Sequence, residues 1–207
     1  MNNGDNENKK KIKIILIGNG QVGKTSLINV YDGKKFTDKM LQSVCSHYIK
    51  KELIINEETY NIHLWDTAGQ ERFRSVNKIY IKGSNIVIFV YDITNKISFM
   101  DIKDFWVEYV DKIIGKDNII MGILGNKIDL IDKSQVDKEE VEKYAKEIGA
   151  FFAESSAKVD PDSFAVFINE LLNEYISKNN NFPENNNSLS FNIDDEKKQK
   201  KSRESCC

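Results

Sequence analysis

The chain has 207 residues, a formal net charge of −2, and 40% hydrophobic against 30% charged residues. That balance suits one compact domain with tails and argues against a nucleic-acid binder, which is usually clearly basic. No apolar run reaches the roughly 18 residues a membrane-spanning helix needs. The first residues, Met1 to Asn6, lack the apolar stretch of a signal peptide. Two of the three cysteines end the chain, so there is no disulfide framework and a reducing, cytosolic compartment is expected.

In chain order, residues 1–10 read as a polar N-terminal tail. Ile12–Ile17 is an apolar run that reads as a buried strand. It leads directly into Gly18-Asn19-Gly20-Gln21-Val22-Gly23-Lys24-Thr25, which fits the phosphate-binding pattern G-x-x-x-x-G-K-[ST]. Ser26-Leu27-Ile28-Asn29-Val30 then opens a predicted helix. The context gives the pattern its meaning. Glycines let backbone N–H groups wrap inward around an anion, and the helix presents its positive dipole end to the same point. Lys24 can reach the outer phosphates, and Thr25 can place a hydroxyl on a magnesium ion. Gly18, Gly20 and Gly23 also satisfy the dinucleotide pattern G-x-G-x-x-G. That fold needs an acid about 20 residues on, where the chain reads Leu41-Gln42-Ser43-Val44-Cys45.

Further strands are predicted at Tyr48–Ile55, Tyr60–Trp65, Ile86–Tyr91, Ile119–Leu124 and Phe151–Ala153. Asn56-Glu57-Glu58 reads as a hairpin turn, which makes the second and third strands antiparallel. The apolar runs starting at Ile86 and Ile119 read as strands covered on both faces. The last helix starts at Asp160-Pro161 and shows Phe164, Phe167, Ile168, Leu171, Leu172 and Tyr175 at helical spacing. Alternating strands and helices imply a three-layer α/β domain, a six-stranded, mostly parallel sheet with helices on both faces, over residues 11–178. Residues 179–207 change character: asparagine runs, a basic run at Lys197–Lys201, and too little apolar surface to order a core.

Three sites at strand ends refine the chemistry, since ligands of open α/β sheets sit there. Asp66-Thr67-Ala68-Gly69-Gln70 can hold a magnesium shell through Asp66, approach a terminal phosphate at Gly69, and orient an attacking water with Gln70. In Asn126-Lys127-Ile128-Asp129 a carboxylate can accept two N–H donors of guanine, where adenine presents the opposite pattern. Ser155-Ser156-Ala157-Lys158 can bring backbone to the base. Each of the last two is weak alone, since such tetrapeptides also occur in plain polar loops; order and placement carry the weight. A P-loop kinase or ATPase is the competing class.

Together these segments resemble a P-loop small GTPase of the Ras superfamily, and most closely the Rab family. Trp65-Asp66-Thr67-Ala68-Gly69 and Gln70-Glu71-Arg72-Phe73-Arg74-Ser75 are similar to segments that set Rabs apart, and Tyr80-Ile81-Lys82-Gly83-Ser84 more loosely so. The resemblance implies a GTP/GDP switch with slow intrinsic hydrolysis that regulates vesicle traffic. It would use Mg²⁺ and carry Gln70 as the water-positioning residue. Gly20, Gln21, Val22, Gly23, Lys24, Thr25, Ser26 and Gly69 would cradle phosphates, with Thr25, Ser43 and Asp66 at the metal. Phe36, Asn126, Lys127, Asp129, Ser156, Ala157 and Lys158 would surround guanine. Tyr48, Trp65 and Tyr80 fall on the family's aromatic partner-binding triad. Cys206-Cys207 is similar to a doubly prenylated terminus, and two lipid chains anchor where one is marginal.

The resemblance further implies a monomer on the cytoplasmic face of an endomembrane, with a cytosolic pool. Its implied partners are an exchange factor, a GTPase-activating protein, a dissociation inhibitor and the prenylation machinery. The first switch departs from the family: Ser43 replaces a threonine, and Val44-Cys45-Ser46-His47-Tyr48 stands where I-G-V-D-F is usual. That leaves a second reading, a GTP-binding module with little hydrolysis. Gln21 is bulkier than the family's usual residue, and Gly20 leaves room for Gln70 and for an arginine from an activating protein.

Overall fold

The computed structural model describes residues 10–37, 48–67 and 74–180, with only backbone described at 74–77. Its strands are β1 (Lys10–Ile17), β2 (Tyr48–Ile55), β3 (Glu58–Asp66), β4 (Ile86–Asp92), β5 (Ile120–Asn126) and β6 (Phe151–Ser155). They form one six-stranded sheet in the order β2-β3-β1-β4-β5-β6. β2 and β3 pair antiparallel and the other neighbours are parallel, as the sequence predicts. The hairpin between β2 and β3 is tighter than expected. Asn56 and Glu57 both take positive φ (51° and 65°), and Glu58 already belongs to β3. Two such residues in succession make the turn whose twist matches paired strands.

The helices are α1 (Lys24–Tyr31), α2 (Arg74–Ile81), α3 (Lys96–Asp101), α4 (Val107–Ile114), α5 (Lys138–Ile148) and α6 (Pro161–Asn180). The first begins at Lys24, two residues ahead of the predicted opening at Ser26. Local chemistry sets several ends. Asn95 caps α3 by accepting from the Ile97 N–H (3.1 Å), and Asp137 caps α5 by accepting from Glu139 (3.0 Å). Gly149, at φ 70°, closes α5. Between α3 and α4 the chain widens into a π-turn, Ile102–Trp106, where the Val107 N–H reaches back to the Ile102 carbonyl.

Strand alternation builds two cores. Ile12, Ile14 and Leu16 of β1 face one way and pack with Leu27 and Ile28 of α1 and with Phe164, Phe167, Leu171 and Leu172 of α6. Ile15 and Ile17 face the other way, with Phe89 and Tyr91 of β4, Phe99, Trp106 and Val110 of the α3–α4 stretch, and Val141 and Ala145 of α5. Every residue of β4 and β5 is buried, because helices cover both faces there. β2, an edge strand, has only Ile49 buried. The carboxyl ends of β1, β3, β4, β5 and β6 therefore converge on one rim of the sheet.

Candidate nucleotide site

The loop after β1 lies where the strand order reverses, with β3 on one side of β1 and β4 on the other. Open α/β sheets bind ligands at such a crevice. Sterics explain two of its glycines. A Cβ on Gly18 would sit 2.2 Å from the Val90 carbonyl oxygen, and one on Gly23 2.2 Å from Asn126 Nδ2. Gly23 also takes φ 96° and precedes α1, whose first N–H groups point into the loop. Gln21 holds a positive φ (67°) without being glycine and is exposed at the loop's rim, beside exposed Gly20.

Lys24 is buried, 4% exposed, and its Nζ donates to the carbonyls of Gly18 (2.9 Å) and Asn19 (2.8 Å). Burial pulls its pKa down to about 8, with Asp66 pulling in the opposite direction. An ammonium held by loop carbonyls at the start of a helix is a ready counter-charge for phosphate. Thr25 Oγ1 donates to Asp66 Oδ2 at 2.5 Å, joining the start of α1 to the end of β3. A hydroxyl and a single carboxylate make the donor set magnesium uses when phosphates complete its shell. These two residues therefore fit the ion. Thr67 Oγ1 donates to the Leu16 carbonyl (2.7 Å) and holds the segment after β3 against β1.

The base end is built from the loops after β5 and β6. Asn126, 2% exposed, donates from Nδ2 to the Val22 carbonyl (2.8 Å) and accepts at Oδ1 from the Ala157 N–H (3.4 Å). It therefore ties the phosphate loop to the loop after β6. Lys127 has φ 71° and pairs its Nζ with Asp92 Oδ2 (2.5 Å) at the end of β4. Ser156 donates from Oγ to Asp129 Oδ1 (2.6 Å) and accepts from the N–H groups of Lys158 and Val159 (3.2 Å each). A carboxylate offers about four lone-pair sites, so this bond orients Asp129 and leaves it able to accept from a base. Phe36 packs at the edge of the core with Lys158 Nζ 5.9 Å from its ring centroid, so the two side chains are neighbours. Val22 is buried beneath the loop, and Ser26 is half-buried in α1.

Tyr48, Trp65 and Tyr80 come together beside that rim, on the face of β2–β3 that α2 borders through Tyr80. Ring centroids lie 4.7 Å apart for Tyr48–Trp65 and 5.6 Å for Trp65–Tyr80. Tyr48 hydroxyl and His63 Nδ1 share a 2.7 Å hydrogen bond. Ser43, Gly69, Gln70, Cys206 and Cys207 lie outside the described residues, as do Cys45 and His47. The sequence reading missed Asp92 as the partner of Lys127, gave Asn19 no role of its own within the phosphate loop, and missed Asp101 and Trp106 altogether. An acid at the end of β4, facing the loop after β5, was the one available signal for Asp92.

A phosphate cradle, a hydroxyl–carboxylate pair and a carboxylate-bearing loop, all on the carboxyl rim of this sheet, define a nucleotide-binding α/β domain. The Ras family model matches residues 13–176, and the chain belongs to that family. Its resemblance to the Rab branch is borne out by relatives. It is 43% identical over 146 residues to Ras-related protein Rab-21 of Canis lupus familiaris, a match covering 70% of this chain and 65% of that one. For Rab-21 of Homo sapiens the figures are 43%, 70% and 64%, and for that of Mus musculus 42%, 70% and 65%. The matched stretch thus spans a little under two thirds of these relatives' own length.

Proposed function

We propose that this protein is a Rab-like switch that alternates between GTP and GDP, hydrolyses GTP slowly on its own, and regulates vesicle traffic. The observation that carries the reading is the Asn126 clamp. One buried amide joins the phosphate loop at Val22 to the loop after β6 at Ala157, and Asp129 stands beside it, held by Ser156. Phosphate and base recognition are thereby one rigid unit. Lys24 would neutralise the outer phosphates. Thr25, Ser43 and Asp66 would hold Mg²⁺, which when bound would offset charge on the phosphates. Gln70 would orient the attacking water, and positioning of this kind supplies most of the catalysis in phosphoryl transfer. Phe36 and Lys158 would enclose the base.

The same reading gives Tyr48, Trp65 and Tyr80 to effectors and regulators. Cys206 and Cys207 would carry lipids that place the protein on the cytoplasmic face of an endomembrane. No helix among the described residues is long and apolar enough to cross a membrane. The altered first switch, with Ser43, Cys45 and His47, supports a second reading in which GTP is bound and barely hydrolysed.

Asp129→Asn tests the guanine assignment. The exchanged amide donates where the carboxylate accepted, so GDP affinity should fall about tenfold to a hundredfold, the range expected for one ionised hydrogen-bond partner, while xanthosine diphosphate gains. If ATP competes with GTP equally well in the parent, the guanine reading fails. Single-turnover hydrolysis by the parent and by Gln70→Leu separates the working switch from the non-hydrolysing module. A parent rate that the substitution leaves unchanged favours the module.

A further inference from the structure

Asn19 is the phosphate-loop residue for which the motif supplies no role, yet its side chain is tied at both ends. Its Nδ2 donates to Asp101 Oδ2 at 2.5 Å, and its Oδ1 accepts from Trp106 Nε1 at 3.1 Å. A carboxylate can only accept and an indole N–H can only donate. The amide is therefore held in a single orientation. Its partners come from across the fold, 82 and 87 residues further along the chain.

The helix is shaped to make this contact. Asp101 and Trp106 bracket the π-turn Ile102–Trp106. In a regular α-helix, residues five apart sit about 140° from each other around the axis, and one could not reach Asn19 while the other did. The i→i+5 turn widens the spiral, so that positions five apart return to nearly the same side. Such turns recur at functional positions in helices. Trp106 itself is 3% exposed and anchored in the second core, and Phe105 packs edge-on against it at 4.9 Å. The tie therefore runs from a rigid anchor. At its other end, the backbone carbonyl of Asn19 accepts from Lys24 Nζ at 2.8 Å. The same residue that is clamped by the helix thus helps hold the lysine of the cradle.

We propose that Asn19 is a positioning residue for the nucleotide: its side chain ties the phosphate loop to the π-turn, and this tie sets how slowly bound nucleotide leaves. The inference rests on the switch reading above and adds a control point within the phosphate loop itself. Asp101 and Trp106 act through Asn19, with no contact of their own to the cradle required. Any change that straightens the π-turn moves them apart and frees the loop.

The test follows release of ribose-labelled GDP from the full-length chain with Mg²⁺ present, alongside thermal melting of each variant. A parent that holds no labelled GDP ends the switch reading and this inference with it. Asp101→Ala removes one acceptor at a half-buried position and should speed release about fivefold, the scale of one net intramolecular hydrogen bond, with the melting midpoint within about 2 °C of the parent. Asn19→Asp sets two carboxylates against each other and should speed release about tenfold or more. Adding Asp101→Asn to it recreates a donor–acceptor pair and should return release to within about twofold of the parent. Trp106→Phe keeps an aromatic ring, loses the N–H together with the fused five-membered ring, and should speed release about threefold. The proposal is overturned if Asp101→Ala leaves release unchanged, if Asn19→Asp stays fast in the paired variant, or if release only tracks the melting midpoint.

Discussion

Trp65 and Asp66 are neighbours in β3, yet they serve opposite regions of the molecule. Asp66 turns into the nucleotide rim, fully buried and bonded to Thr25. Trp65 turns onto the open face of β2–β3, where it meets Tyr48 and Tyr80. The rim is assembled from buried side chains whose partners come from distant strands, and from backbone forced into left-handed φ. The open face is assembled by register. Tyr48 lies opposite Trp65, and Lys50 lies opposite His63, which lies opposite Lys13. A change at the rim leaves buried polar groups without partners; a change on the open face falls mostly on exposed or half-buried side chains, His63 excepted. Function at the rim is therefore expected to be coupled to stability, and function on the open face largely separable from it.

Asn126→Ala should break this contrast most strongly. It orphans the Val22 carbonyl and the Ala157 N–H in a buried setting, at about 1–3 kcal/mol for each group. Denaturant unfolding should show a loss of roughly 3 kcal/mol, and calorimetry a GDP affinity lowered by at least about a hundredfold. An Asn126→Ala protein that keeps the parent's stability would mean that rim and fold are independent.

Trp65→Ala tests the other side. It deletes a half-buried ring with two aromatic contacts, so stability should fall by about 2 kcal/mol, while GDP affinity stays within about twofold. A large loss of nucleotide affinity would show that the open face and the rim are not separate.

The pH dependence of the open face should show in His63. Burial, and then Lys11, Lys50 and Lys13, push its pKa down to about 4 from 6.5. The folded state thus binds fewer protons than the unfolded chain between these values, and stability must rise with pH across the window and fall on acidification through it. The effect should be about 1 kcal/mol once solvent screening is included. Replacing His63 by Gln should flatten unfolding curves between pH 4 and about 6.5; unaltered curves would refute it.

The smallest expected change lies at the hairpin, far from the rim. Glu57 holds φ 65° in the turn after Asn56. Glu57→Gly should stabilise by about 0.5–1 kcal/mol, because glycine bears no Cβ penalty there and Asn-Gly is the preferred pair for this turn. The shift should appear in the melting midpoint with no change in GDP affinity.

Much of the rim is legible in the sequence. The phosphate loop is local, eight consecutive residues between a buried strand and a helix, and its geometry demands those residue types wherever they occur. Asn126 to Asp129 and Ser155 to Lys158 could be placed because each follows a predicted strand. The antiparallel hairpin was also readable, although its turn proved to close on Asn56 and Glu57 alone. The pairings within the rim were not legible. Nothing in the letters links Asn126 to Val22, 104 residues apart, or Ser156 to Asp129. The π-turn was invisible for another reason. One added residue per turn over a five-residue segment, in which only Ile102 and Trp106 are buried, shifts the apolar period too little to be seen.

By itself, then, the sequence determined the order of strands and helices, the two-sided burial of β4 and β5, and the chemistry available at each strand end. These follow from alternation, from helical spacing and from the backbone freedom of a few glycines, all of which act over short stretches of chain. Only the tertiary structure decided that Asn126 clamps the two halves of the rim and that Lys13, His63 and Lys50 form one row across three strands. It alone decided that a wider helical turn brings Asp101 and Trp106 onto Asn19. Those arrangements depend on register and on close packing between segments tens of residues apart, where a shift of one residue turns a side chain to the other face.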